Sequence, residues 1–230
     1  LWAQKAQIEI ENYANINELL ADTQAVTTLS NSQEAVDYMM TSKDTNNCIR
    51  QKIIDNNDAM VTILKSSYAK SKILQDDEWR QMITTNRESL INAIISANIA
   101  TKISLSSSYT PPIDLSYPSA SATDTKSLQA NDLILQYSCS ASQNGVVLTY
   151  LVINSYLYVD DTCILSSSNR NSTGSTYYNI STSASAINKN SYIVRGNTLK
   201  VHATTNALYS GNSTNASASL RANATVYVLR

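Results

Sequence analysis

The residues that could carry out catalysis are few and lie far apart along the 230-residue chain. The single histidine is His202, and the second half of the chain offers five Asp and no Glu. A nucleophile–His–carboxylate site would need His202 and a distant Asp, and a glycosidase pair would have to use Asp160 and Asp161. Neighbouring residues of a strand point to opposite faces, so these two carboxylates converge only if a turn brings them together. We therefore expect no enzymatic activity, and we expect His202 to be an ordinary strand residue on the face opposite Val201; a calcium-binding turn at Asp160 and Asp161 is the alternative reading.

The chain contains few residues that could bind a metal ion or a cofactor. The chain holds one His and three Cys, namely Cys48, Cys139 and Cys163, whereas a structural zinc site needs four such ligands close together. All four Gly lie from Gly145 onward, which leaves no Gly-rich phosphate-binding loop. We expect no cofactor, no metal and three reduced thiols, with a Cys139–Cys163 disulfide as the alternative.

Tyrosines are the best candidates for ligand binding. Tyr156 and Tyr158 share one face of a predicted strand, and Tyr177 and Tyr178 lie in a polar segment. Exposed Tyr can stack on sugar rings and hydrogen-bond to their hydroxyls, so these four residues are candidates for glycan contact. The alternative is structural, because a chain with no Phe must use Tyr as the aromatic residue of its core or of a subunit interface.

The charge balance argues against several kinds of partner. Lys and Arg total 17 and Asp and Glu total 18, which gives a net charge of −1 and no basic footprint for nucleic acid. The longest run without a strongly polar residue is about eight residues, 146–153, too short to span a bilayer. Residues 104–230 carry 7 basic and 5 acidic side chains, so we expect recognition to rest on hydrogen bonds and Tyr stacking more than on charge.

Composition changes near residue 104. Residues 1–103 contain no Gly or Pro and hold 23 of the 35 charges, which is typical of helix. Residues 104–230 hold eleven of the fourteen Tyr and are rich in Ser and Thr, which favours strands. We predict a helical or coiled attachment region over 1–103, a Ser/Pro-rich linker over 104–126 and a β-rich head over 127–230, in an α+β arrangement of separate segments.

A ten-residue repeat runs through the helical half. Its alanines occur ten residues apart in two pairs, Ala25 with Ala35 and Ala59 with Ala69, and an apolar residue follows each four positions later. Residues of helix-capping type stand three positions before each repeat's central residue: Asp22, Ser32, Asn56, Ser66, Asp76 and Asn86. Ten residues advance a helix by about 1000°, so the apolar face drifts by about 80° per repeat. Each repeat is therefore a short capped helix, or the repeats lie on coiled helices around an axis shared by several chains; an ordinary helical hairpin is the remaining alternative.

The second half predicts short strands separated by turns. The candidates are Asp132–Cys139, Val146–Val152, Tyr156–Asp160, Thr176–Ile180, Tyr192–Val194, Thr198–Ala203, Ser217–Ala222 and Thr225–Leu229. Asn144-Gly145 predicts a hairpin turn, and Ser210-Gly211-Asn212 predicts another. Eight short strands in about a hundred residues favour a β-sandwich or a jelly-roll-like domain.

The repeats resemble the alanine-containing decapeptide repeats of bacteriophage tail-fibre and related virion appendage proteins. The matching pieces are Ala25-Val26 with Leu29 and Ser30-Asn31-Ser32, Ala35-Val36 with Met39 and Ser42, and Ala59-Met60 with Ile63 and Ser66. The opening Ile8-Glu9-Ile10-Glu11-Asn12-Tyr13 is also similar to the start of such fibres. The match covers about residues 8–75 and is interrupted between Ile49 and Ala59. The resemblance implies a homotrimeric virion fibre with an N-terminal part that attaches to other virion proteins and a C-terminal head that binds the host surface.

We accordingly expect a structural subunit of a bacteriophage virion that contributes to attachment to host glycan. The alternative is a secreted or cell-surface adhesin-like glycoprotein, an extracellular protein favoured by five Asn-x-Ser/Thr sequons and by the first residue, Leu1, which is not Met. The sequons are at Asn171, Asn179, Asn212, Asn215 and Asn223. Their number is close to what the Asn, Ser and Thr content gives by chance, so they do not decide between the two.

Overall fold

The computed structural model consists of a run of short helices followed by two four-stranded antiparallel sheets. It describes residues 1–42, 49–110, 119–146, 150–171, 177–189, 195–208 and 219–230. The order of helices first and strands afterwards confirms the mixed α+β arrangement predicted from the change in composition. Within the described ranges, no helix combines the length and the apolar character needed to cross a membrane.

The helices in the described ranges are four to nine residues long. They are α1 (Trp2–Lys5), α2 (Ile16–Ala21), α3 (Thr23–Asn31), α4 (Gln33–Thr41), α5 (Ile49–Ile54), α6 (Asn57–Leu64), α7 (Ser67–Gln75), α8 (Asp77–Thr84) and α9 (Glu88–Ser96), with a 3-10 helix at Ile10–Asn12. Helices this short cannot sustain the heptads of a coiled coil. Of the two readings of the repeat, the described residues adopt the short capped helix, and the coiled alternative is not the one they form.

Single polar residues cap these helices, as the repeat predicts. The side chains of five of them accept a hydrogen bond from the backbone N–H three residues later: Asp22, Ser32, Asn56, Ser66 and Asp76. Each of the five has an extended backbone, so the chain changes direction at every cap. The sixth predicted cap, Asn86, is wrong: α9 starts after Arg87, whose side chain makes no capping hydrogen bond, and Asn86 itself has φ 55°.

Helices three apart in the chain stack on each other. Contacts join α1 to α4 and α4 to α7, and likewise α3 to α6 and α6 to α9. Long-range hydrogen bonds repeat at similar spacings: Trp2 Nε1 donates to the Ala35 carbonyl 33 residues away, and Ser66 Oγ donates to the Ser30 carbonyl 36 residues away. Three ten-residue repeats therefore make one turn of a solenoid, and the extended caps cancel the drift that a continuous helix would accumulate.

The apolar residues of the repeats are buried inside a single chain. The repeat alanines are at most 5% exposed, and the apolar residues four positions later, such as Leu29 and Ile63, are at most 1% exposed. A drifting apolar stripe on a lone chain would favour association of several chains if it stayed uncovered. In the helical half, stacking of helices within one chain already covers the stripe.

The described residues contain eight strands, which form two sheets. They are β1 (Thr101–Tyr109), β2 (Ser119–Ser127), β3 (Leu133–Val146), β4 (Tyr150–Val159), β5 (Thr162–Asn171), β6 (Tyr177–Ile187), β7 (Thr198–Leu208) and β8 (Ser219–Leu229). The first sheet has the order β1-β8-β3-β6 and the second β2-β7-β4-β5, with every neighbouring pair antiparallel. One buried cluster takes side chains from both sheets, including Leu105 of β1 and Val201 of β7.

The predicted linker over 104–126 needs correction at both ends. Residues 104–109 lie in β1 and residues 119–126 lie in β2, one strand in each sheet. Both segments are rich in Ser and Thr, which favours a linker. Their inward-facing residues Leu105 and Ala122 are nevertheless buried, at 1% and 4% exposed. The prolines between them, at 111, 112 and 118, lie outside the described residues.

Three further features of the strands differ from the prediction. The Asn144-Gly145 turn is wrong, because both residues continue β3 and pair with Asn179 and Tyr178 of β6. The last two predicted strands are a single strand, β8. The strand β5 was not predicted at all, and the predicted strand Tyr192–Val194 and turn Ser210-Gly211-Asn212 lie outside the described residues.

Candidate functional site

The outer side of the second sheet carries the predicted tyrosine pair. Along β4, Ile153, Ser155 and Leu157 are fully buried between the sheets, so Tyr156 and Tyr158 point outward and are half-buried. This outcome confirms that the two tyrosines share a face. It also decides against their being core aromatics.

Register places polar residues of β7 beside this pair. The three cross-strand pairs are Asn154 with Thr204, Tyr156 with His202, and Tyr158 with Lys200. We call these six outward side chains the tyrosine face. Asn154 Nδ2 donates to Thr204 Oγ1 at 3.2 Å, which fixes one end of the face.

Ring contacts organise the centre of the tyrosine face. The Tyr156 and Tyr158 rings have centroids 6.2 Å apart, and the Tyr156 and His202 rings lie 6.3 Å apart with an interplanar angle of 25°. Lys200 Nζ lies 4.5 Å from the centroid of the Tyr158 ring, a cation–π contact. The result is a contiguous aromatic surface of three rings with one cation at its side.

His202 is a neutral hydrogen-bonding residue of this face at pH 7. Its Nδ1 shares a 2.7 Å hydrogen bond with Thr123 Oγ1 of the neighbouring strand β2. Burial, with a smaller contribution from the Lys200 charge, lowers the pKa of His202 below its ordinary 6.5. The position confirms the prediction that His202 points away from the buried Val201, and its recorded contacts with Thr123 and Tyr156 involve no carboxylate.

The other two candidate tyrosines belong to the opposite sheet. Tyr177 and Tyr178 begin β6, where they pair with Val146 and Gly145 of β3. Their side chains lie outside the described residues. The four sequence candidates therefore fall into two separate places, and of the four side chains those of Tyr156 and Tyr158 lie within the described residues.

Asp160 and Asp161 form the turn between β4 and β5, not the end of a strand as predicted. Asp160 has φ 51°, and its Oδ1 accepts the backbone N–H groups of Asn197 and Thr198 at 2.9 and 3.0 Å. That carboxylate thus holds the start of β7 against the turn. Among the described residues, no three His, Cys, Asp or Glu side chains converge as metal ligands would.

The two described cysteines are not bridged. Cys139 is buried and Cys163 is exposed, and both are free thiols. Burial raises the pKa of the Cys139 thiol, so it is protonated at neutral pH. Cys48 lies outside the described residues.

Sequence reasoning missed a buried arginine where the helices meet the first sheet. Arg80 is 0% exposed, and its guanidinium donates to the carbonyls of Leu74 at 3.0 Å and of Asn131 and Asp132 at 2.7 Å each. Burial lowers its pKa to about 10, so it stays charged at pH 7. The Asp132 carboxylate in turn accepts a bidentate pair from Arg230 at 3.0 and 2.7 Å.

A signal for this arginine exists in the repeat. The residue directly after the repeat's central position is buried and apolar in three repeats, where it is Val26, Val36 and Met60. Arg80 occupies the same position after Trp79. Lys70 occupies this position after Ala69 and is half-buried, so the position is buried in most repeats and not in all.

Comparisons with known proteins give little further guidance. No protein-family model and no curated protein matches the chain. A crystal structure of the VP2 subviral particle of infectious bursal disease virus is similar over 57% of this chain and 37% of that chain, at 14% identity and a TM-score of 0.32. The T13 particle of the same virus is similar over 56% of this chain and 35% of that chain, at 14% identity and a TM-score of 0.31. The Stig cyclase Fisc from Fischerella sp. TAU is similar over 46% of this chain and 56% of that chain, at 12% identity and a TM-score of 0.23.

The chain thus spans about a third of the length of the viral structures that it resembles. All of these TM-scores are below 0.5, and a structural similarity at that level does not indicate a function.

Proposed function

We propose that the eight strands form a jelly-roll sandwich that serves as the head of a virion structural subunit. The sheet orders β1-β8-β3-β6 and β2-β7-β4-β5 alternate between early and late strands, as two interleaved Greek keys require. Jelly rolls of eight strands are found in viral capsid and lectin domains. The architecture therefore agrees with the two roles that the decapeptide resemblance implies, assembly into a particle and recognition of a surface.

The protein contributes to host attachment by binding carbohydrate, and the tyrosine face is the observation that carries this assignment. Two outward tyrosines and one histidine form a ring surface next to Asn154 and Thr204. Aromatic rings take the apolar faces of sugars, while amide and hydroxyl groups bind sugar hydroxyls. The protein is a binding protein and not an enzyme, since the histidine at this face has hydroxyl, aromatic and cationic neighbours instead of a nucleophile–carboxylate pair.

The subunit assembles as a homotrimer and contacts other virion proteins through its helical half. The support for the trimer is the fibre resemblance. Among the described residues, the large apolar side chains that are exposed are Leu1 and Tyr109. A trimer of this chain therefore buries mainly polar surface.

Immunogold electron microscopy tests the virion role directly. Particles purified from the source culture are labelled with antibody raised against the full chain, with particles from an unrelated phage as the control. Label at the ends of appendages supports the proposal. Protein that remains in the particle-free fraction, with no label on particles, contradicts it.

The secreted adhesin remains a second candidate because two of its sequons are accessible. Asn179 and Asn223 lie in strands of the first sheet and are both exposed. Intact mass of the protein from its native source distinguishes the candidates. Added glycan mass on these residues favours the adhesin, whereas the mass of the bare chain favours the virion protein.

A further inference from the structure

The charged residues of the second sheet's outer side have one sign. At the outward positions of the described parts of β2, β4, β5 and β7, the charged residues are Lys200 and Arg170, both cationic. The nearby Asp124 is directed elsewhere, because its Oδ2 accepts the Ser106 backbone N–H of the first sheet at 2.9 Å. The near-neutral total for residues 104–230 conceals this local excess of positive charge.

Lys200 is the cation at one end of the tyrosine face. Within the described ranges it forms no ion pair with a carboxylate of the protein. Its ammonium group instead lies over the Tyr158 ring, beside the neutral His202. An anionic group of a ligand can therefore approach it without displacing a protein carboxylate.

We propose that the tyrosine face binds an acidic carbohydrate, one whose sugars carry carboxylates, with Lys200 pairing with that carboxylate. The proposal rests on the carbohydrate-binding role given above and names the ligand class of the same face. Tyr156 and Tyr158 contact the sugar rings, and the hydroxyl and amide groups of Thr204 and Asn154 bind their hydroxyls. An acidic sugar satisfies all three features of the face, whereas a neutral sugar leaves the positive charge unused.

The first sheet supplies matched controls for these residues. Lys102 and Tyr227 form a cross-strand pair of the same residue types on the outer side of the first sheet. Lys102 is exposed and Tyr227 half-buried, so their substitution removes the same groups at a distance from the tyrosine face.

Surface plasmon resonance of the full chain tests the ligand class. The immobilised probes are polygalacturonate, hyaluronan and polysialic acid, each paired with its carboxyl-reduced form. We expect at least one acidic polysaccharide to bind and its carboxyl-reduced form to bind much more weakly. We expect K200Q to weaken the binding by about fivefold, which is the effect of losing one exposed ion pair. The Y156A/Y158A double variant should weaken the binding further. The control variants K102Q and Y227A should leave the binding unchanged.

Three results overturn the inference: equal binding to the acidic and carboxyl-reduced forms, binding that K200Q leaves unchanged, or no binding to any acidic member of the panel. Equal binding to the reduced forms that Y156A/Y158A abolishes would retain carbohydrate recognition while removing the acidic class. The virion role is judged separately by the labelling of particles, so the failure of one proposal is distinguishable from the failure of the other.

Discussion

Replacing Arg80 with Met tests whether the helices and the sheets are held together by one buried cation. The substitution keeps much of the side chain's volume and removes the guanidinium that joins α8 to the chain just before β3. Three carbonyl oxygens, those of Leu74, Asn131 and Asp132, then lose their donor at distances of 3.0, 2.7 and 2.7 Å. Each hydrogen bond from a charged donor is worth about 1.5–3 kcal/mol.

The sum of these three bonds overstates the effect, because burying the guanidinium itself costs several kcal/mol in desolvation. The carbonyls left without a partner each add a penalty of about 1–3 kcal/mol where water cannot reach them. We expect R80M to lower the free energy of unfolding by about 3–5 kcal/mol, the lower part of what three buried carbonyls without a donor would cost.

Arg195 is the matched control because it spans the same junction from the surface. Its guanidinium donates to Asn131 Oδ1 at 2.7 Å and to Asp77 Oδ1 at 2.9 Å, but its side chain is 41% exposed. R195M should cost less than about 1 kcal/mol, as exposed ion pairs do. Urea unfolding followed by circular dichroism compares both variants with the parent chain. If R80M unfolds within about 1 kcal/mol of the parent, or with the same loss as R195M, the reasoning about the buried cation is wrong.

Further predictions concern the caps, the titrating groups and the assembly state. S66A should cost about 1–2 kcal/mol in urea unfolding. Both serine hydroxyls cap a helix and donate to a distant carbonyl, but the buried Ser66 hydroxyl reaches the Ser30 carbonyl at 2.7 Å, whereas the half-buried Ser32 hydroxyl reaches the Lys5 carbonyl at 3.2 Å. The loss should therefore be larger than for S32A, and equal losses would contradict this. The hydrogen bond from Tyr13 and the cap bond from Ala25 lower the pKa of Asp22. The stabilisation from its carboxylate is therefore present above pH 3.8 and is lost as pH falls through the folded pKa. D22N can also cap the helix, and it should remove this pH dependence of the helical circular dichroism signal. Burial and the Lys200 charge lower the pKa of His202, so the proton NMR titration of its ring should have a midpoint below pH 6.5. The free energy of unfolding should decline as pH falls below 6.5, because the unfolded chain then binds the proton more readily. K200Q should raise the titration midpoint, and an unchanged midpoint would contradict the contribution of Lys200. Light scattering should give the mass of a trimer, and a stable monomer at micromolar concentration would refute the assembly.

The helical repeat shows how much a local pattern can determine. A cap hydrogen bond joins residues three apart, and the apolar positions of one repeat lie within a single helix, so five of the six caps were predictable from neighbouring residues. What the ten-residue period left open was the partner of each helix. That choice depends on contacts about three repeats apart, such as Ser66 with Ser30, which no short segment encodes.

The candidate site divides in the same way. Strand alternation alone placed Tyr156 and Tyr158 on one face, because that relation involves residues two apart in one strand. Their neighbours His202 and Lys200 come from β7, some 40 residues away, and only the register of β4 with β7 brings them there. The assignment of Tyr177 and Tyr178 to the other sheet also depends on strand pairing, which the alternation of side chains does not specify.

The corrections have one physical origin, which is that backbone pairing over long distances can override a local preference. Asn144-Gly145 is a strong turn sequence, yet the ladder of β3 with β6 continues through it because each added pair of strand residues contributes further hydrogen bonds. Arg80 is a surface residue type, yet the carbonyls of Asn131 and Asp132 meet it in the interior. The sequence by itself determined the capped helices, the strand-rich second half and the shared face of two tyrosines, since all of these follow from residues within one turn or one strand. Only the tertiary structure decided the stacking of the helices, the order of the strands and the groups around Lys200 and Arg80, since these depend on segments that meet only when the chain is folded.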